Sequence, residues 1–136
     1  MFDLIKRNLL KYTLLVDGIV SVIAGAAFLG FSSLIAELIG PAFTGSVIMG
    51  LGAFLFLWGL FHLAMSSRSE APVGGVRVAI SGDALWILGC IAVLVIDWNG
   101  LTAVGAAFIT VMTVAVVDIM LLKMKGFADQ QRAVAA

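Results

Sequence analysis

Residues 43–65 read FTGSVIMGLGAFLFLWGLFHLAM, a stretch without a single Lys, Arg, Asp or Glu. The hydrocarbon core of a bilayer, about 30 Å thick, is crossed by roughly 20 apolar residues of helix, and this run supplies them. A soluble core helix of that length would carry a polar face, and this one has none. Outward from it, three more apolar segments of similar length follow, at about 12–31, 77–96 and 101–122. A transmembrane β-strand would instead show about 10 residues of alternating polarity, and no such alternation occurs. The fold class is therefore all-α: a four-helix transmembrane bundle forming a single domain over residues 1–136.

Composition agrees. Hydrophobic residues make up 62% of the chain and charged residues 12%, where a soluble domain has about half and about a quarter. Net charge is zero and no basic patch carries interleaved aromatics, so nucleic acid is not an expected partner. The lipid bilayer is, together with a second copy or a partner membrane protein. Cys90, the sole cysteine, has no partner for a disulfide within the chain and reads as a small packed hydrophobe. The first segment follows Lys6, Arg7 and Lys11 as a secretory leader would. However, Asp17 interrupts it and the apolar run continues to Phe31, so a span is expected rather than a cleaved leader.

The basic residues set the expected orientation. Lys6, Arg7, Lys11, Arg68, Arg77, Lys123, Lys125 and Arg132 all fall in the N-terminal tail, the 66–77 connection or the C-terminal tail. Connections 32–42 and 97–100 hold Glu37 and Asp97 but no Lys or Arg. Because Lys and Arg stay on the cytoplasmic side, both termini are expected inside, in a bacterial cytoplasmic membrane. The short 97–100 connection makes segments three and four an antiparallel hairpin, and segments one and two form the other. In 32–40, Leu34, Ile35, Leu38 and Ile39 recur at helical spacing before Gly40-Pro41, which predicts a short amphipathic helix at the outer interface. The chain after Gly126 reads as a frayed polar tail.

Each span carries one ionisable residue away from its ends: Asp17, His62, Asp83 and Asp118. Asp17 is six residues after Lys11, His62 six before Arg68, Asp83 six after Arg77 and Asp118 five before Lys123. At 1.5 Å per residue the four lie in one layer, roughly 8–9 Å past those flanking charges. Turned toward lipid, a charge costs several kcal/mol, so the bundle interior or a wet cavity is expected. Two readings stay open. The layer is a proton- or cation-accepting cluster, or its acids pair with Lys11, Arg77 or Lys123 as structural glue. His62 alone is no haem signature, and the set lacks any recognised metal spacing, so neither a cofactor nor a metal is expected. Phosphate-loop, nucleophile-elbow and zinc-protease patterns are absent, so an enzyme is not expected. Ser21, Gly25, Gly50, Gly52 and Gly105 are the small residues at which helix backbones are expected to approach, within the chain or between copies.

In size and span number the chain is similar to the small multidrug exporters, which carry an essential Glu in the first helix where this chain has Asp17. Val16-Asp17-Gly18 with Gly25, and Asp83-Ala84-Leu85-Trp86, resemble the small bacterial four-span integral membrane proteins of uncharacterised function. That resemblance implies the same topology and brings no activity with it. The reading preferred from sequence is a non-enzymatic membrane protein acting by association, as an accessory or assembly subunit or a self-associating bundle. The alternative is a minimal proton- or cation-linked transporter using the Asp/His layer.

Overall fold

The structure, a computed structural model, describes residues 8–136, so Lys6 and Arg7 lie outside the described residues. It is all-helical: α1 Leu9–Gly30, α2 Ser32–Ile39, α3 Gly45–Ser66, α4 Val73–Ile96, a single 3-10 turn at Trp98–Gly100, and α5 Ala103–Ala135. Four of these, α1, α3, α4 and α5, are long and apolar enough to cross a membrane.

Small residues decide which helices touch. A Cβ added at Gly25 would lie 2.5 Å from the Phe56 backbone nitrogen and 2.8 Å from the Gly52 carbonyl oxygen. One at Gly59 would lie 2.6 Å from the Val22 nitrogen and 2.7 Å from the Gly18 oxygen. Gly18 thus faces Gly59, and Gly25 faces Gly52, so contacts climb α1 as they descend α3. With no hydrophobic drive between helices in lipid, close backbone approach of this kind is what holds spans together. Nothing lies within 4 Å of the Cβ position of Gly50, so among the described residues it packs on no other helix, and contact between copies is the part of the expectation left to it. It lies two residues from both Ile48 and Gly52, on the side of α3 opposite the inward face that Gly52 and Gly59 share.

The short α2 forms where the amphipathic segment was expected, and it turns one side inward. Ala36 and Ile39 are buried while Leu34 and Leu38 point out. The reason is a tie to the start of α5. Thr102 donates its backbone N–H to the Ile39 carbonyl at 2.8 Å, and Ala42 donates to Gly100 at 3.0 Å. The Thr102 hydroxyl donates to the carbonyls of Leu38 and, at 3.2 Å, Ile39, and accepts from Gly105 N–H at 2.9 Å as the helix cap. Gly105 has no room for a side chain, since a Cβ there would sit 2.1 Å from the Ile39 oxygen. Gly40, at φ 130°, makes the turn that brings the two connections together.

Two other boundaries move. Residues 73–76 are helical, so Arg77 lies inside α4 rather than at the end of a linker. α5 continues unbroken through Gly126 to Ala135. Gly126 lies against the Leu10 backbone, Phe127 packs on the apolar cluster of Leu10, Leu14, Met65 and Val76, and Gln130 donates to the Ala71 carbonyl at 3.1 Å. These contacts order a segment whose polarity alone reads as a tail. A second apolar cluster, with Phe28, Ile39, Ile48, Leu55 and Ile109, fills the opposite end of the bundle. The polar layer lies between the two.

Candidate functional site

The layer closes around Lys123. Its ammonium donates to Asp83 Oδ2 at 2.6 Å, approaches His62 Nε2 at 2.9 Å and donates to Asp17 Oδ2. Lys123 and His62 are fully buried, and Asp17 and Asp83 nearly so. An ammonium has three hydrogens and no acceptor, and here three side chains from three helices meet it. α1 supplies Asp17, α3 His62, α4 Asp83 and α5 Lys123, so every span contributes one group.

Each helix positions its group by neighbours one turn away. Ser21 donates to Asp17 Oδ1 at 3.2 Å, leaving Oδ2 for the centre. The close Gly18–Gly59 crossing brings that face of α1 against α3, where His62 lies. His62 Nδ1 lies 2.8 Å from the Trp58 carbonyl oxygen, an acceptor, so Nδ1–H donates and Nε2 turns its lone pair to Lys123. The ring is wedged edge-on between Trp58 and Phe61, at centroid distances of 4.9 and 5.5 Å. His62 Nε2 also lies 3.2 Å from Asp17 Oδ2, near enough to share a proton with it. Among the described residues, no buried side-chain nitrogen or oxygen lacks a hydrogen-bond partner.

Of the four residues expected in the layer, the structure brings together Asp17, His62 and Asp83 and leaves out Asp118. Asp118 is exposed on α5. Five residues separate it from Lys123, which is about 140° around a helix, so the two cannot share a face. Lys123 is the residue that sequence reasoning assigned to the membrane boundary. The signal was the inward stripe of α5, where Ile109 and Lys123 are two heptads apart and both buried.

Charge counting limits the chemistry. Two carboxylates and one ammonium leave one negative charge when His62 is neutral. One further proton, on a carboxyl or on His62 Nε2, makes the set neutral. Asp17, His62 and Asp83 also offer ligand atoms within 4.8 Å of one another, a spacing suited to a cation. The ammonium of Lys123 bonds to all three side chains, so a metal ion would compete with it.

A second feature borders the layer. The backbones of α3 and α4 stay apart along their length, and an apolar groove of about 850 Å³, crossed by aromatic side chains, opens between them. The Trp58 indole lies over Gly82 on α4 and stacks on Phe54 at 5.6 Å, and Phe54 stacks on Trp86 at 6.3 Å. Trp58 is therefore both a wall of the groove and the partner of His62.

Comparisons with protein families, with curated proteins and with solved structures return no match for this chain.

Proposed function

We propose that the protein is a multi-pass protein of a bacterial cytoplasmic membrane, built as two antiparallel hairpins with both termini inside, and that its four-span cluster is the proton-binding centre of a small proton- or cation-linked carrier. The observation that carries this reading is the imbalance at Lys123. One buried ammonium is opposed by two carboxyls and an imidazole. A static lock needs one carboxylate for one ammonium. A second buried acid adds a desolvation penalty of several kcal/mol, and intramembrane acids that are retained despite that cost mark proton or ion pathways. Binding the extra proton removes the net charge. Losing it leaves two full carboxylates pulling on Lys123, and with it on α5. Proton exchange is thereby tied to the relative positions of α1, α4 and α5, which is the coupling a carrier requires.

The orientation rests on the sidedness of the Lys and Arg residues. Lys123 no longer counts among them, yet the remaining seven still leave none for the two opposite connections. The hairpins are supported by the Gly18–Gly59 and Gly25–Gly52 crossings and by the four-residue 97–100 connection.

The test is proton release from proteoliposomes loaded with a pH-sensitive dye and holding an imposed pH gradient. Sodium, potassium or a lipophilic phosphonium ion is added outside. At least one should discharge the gradient, and Asp17→Asn should abolish the discharge while the helical signal and oligomeric state persist. A gradient that no ion discharges, or one discharged equally by the variant, sinks the carrier.

The reading by association has its own observation. Gly30, Gly50 and Gly89 have nothing within 4 Å of their Cβ positions, which leaves smooth helix surface for another span. Purification at native expression in mild detergent should then bring down a stoichiometric partner or a defined oligomer. A lone monomer in several detergents excludes it. Neither reading involves enzymatic chemistry.

A further inference from the structure

The groove between α3 and α4 has a chemical polarity that neither reading of the cluster uses. It runs along α4 from Arg77 to Val93, about 24 Å at 1.5 Å per residue. That exceeds half of a hydrocarbon core about 30 Å thick, the depth one acyl chain occupies in its leaflet. Its volume of about 850 Å³ falls in the range of ligand pockets, about 300–1,000 Å³. The lining is almost wholly apolar, with Phe54 and Trp58 of α3 reaching Trp86 and Gly82 of α4 to form a stacked aromatic bridge between the two helices.

The polar groups are at one end. Arg77 is the single charged residue of the lining, and it is exposed. Among the described residues it has no ion pair, since the only ion pairs are those of Lys123, His62, Lys125 and Arg132. Ser81, one turn further along α4, is also exposed, lines the groove and turns the same way. A guanidinium presents a rigid fork of donors suited to phosphate oxygens, and a hydroxyl one turn away adds a further donor. An apolar slot as deep as a leaflet, open sideways and headed by an unpaired Arg, matches an acyl chain joined to a phosphate.

We propose that this groove is a binding site for an anionic phospholipid, with its phosphate on Arg77 and Ser81 and one acyl chain lying along Trp58, Phe54 and Trp86. The charge at the groove's mouth selects an anionic over a zwitterionic headgroup, and the aromatic wall holds the chain. The site is independent of whether the cluster carries protons, and each fails by its own measurement.

Two of the three tryptophans line the groove, which gives the test its signal. The full chain carrying Trp98→Phe is reconstituted in phosphatidylcholine vesicles containing increasing fractions of brominated-chain phosphatidylglycerol or brominated-chain phosphatidylcholine. Quenching by the anionic lipid should reach half its limit at about fivefold lower mole fraction, the factor expected of one Arg near an anionic surface. Arg77→Gln, at an exposed position, should remove that preference and leave quenching by both lipids. Gly89→Leu enters open space in the groove and should weaken quenching by both while the helical signal is unchanged. Equal quenching by the two lipids, or a preference that survives Arg77→Gln, overturns the site. So does tryptophan shielded from both lipids until Gly89→Leu dissociates an oligomer, because the occupant would then be another protein chain.

Discussion

Lys123 is the residue on which the most depends. Replacing it by Met removes the ammonium and leaves Asp17 and Asp83 buried without a cation, a change that costs about 3–5 kcal/mol when a buried pair loses one partner. Unfolding of Lys123→Met by denaturant in detergent micelles should show that loss, and adding Asp17→Asn and Asp83→Asn should recover most of it. Stability unchanged in the single variant would mean the cluster does not bear on folding. Asp118→Asn, which removes a charge from an outward-facing position in the span of α5, should not lower stability and should raise it, because a charge turned toward lipid is costly. The contrast also shows where sequence reasoning stops. Asp17, His62 and Asp83 were legible because an ionisable group inside an apolar run stands out. Lys123 was legible only as one of three cations with which the acids could pair, not as the centre, because a Lys at the end of such a run is the ordinary mark of the membrane boundary. Only the continuation of α5 to Ala135 makes position 123 an interior one.

At the scale of the element, glycines that all lie inside apolar runs have opposite roles. Gly25→Ala pushes a methyl group to 2.5 Å from the Phe56 nitrogen, so α1 and α3 must separate, at about 1–3 kcal/mol for an overpacked contact. Gly50→Ala meets open space and should stabilise α3 by about 0.5–1 kcal/mol, the usual gain within a helix. Melting temperatures of the two variants check this, and equal shifts would contradict the packing. The four spans were legible from hydropathy alone, and Gly25, Gly52 and Gly105 from composition. Gly18 and Gly59 were not singled out, and Gly50 was. Small residues mark possible contacts, while the face that makes them depends on a rotation set by the partner helix. α2 illustrates the same limit: its existence followed from apolar spacing, but its inward side followed from Thr102, far away in the chain.

For the whole molecule, sidedness is the first thing to check. On a Cys90→Ala background, a cysteine replacing Asn99 should react with an impermeant thiol reagent added to whole cells, and one replacing Ser69 should react only after lysis. The reverse pattern would invert the bundle. The bonds among Thr102, Ile39, Ala42 and Gly100 then acquire a mechanical meaning. The two hairpin bends are riveted to each other, and the charged layer lies between that rivet and the apolar cluster of Leu10, Leu14, Met65 and Val76; in the carrier reading a proton rebalances its charges. A pair of compasses, pinned at the head, spreads only at its points. Amide protection factors, which are corrected for intrinsic base catalysis, should accordingly stay high around Ile39, Ala42 and Thr102 at every pH, while any loss of protection on adding base is confined to the ends of α1 and α5 that meet at Leu10 and Gly126. In the carrier reading, entry and exit are therefore left to legs that swing from one fixed head.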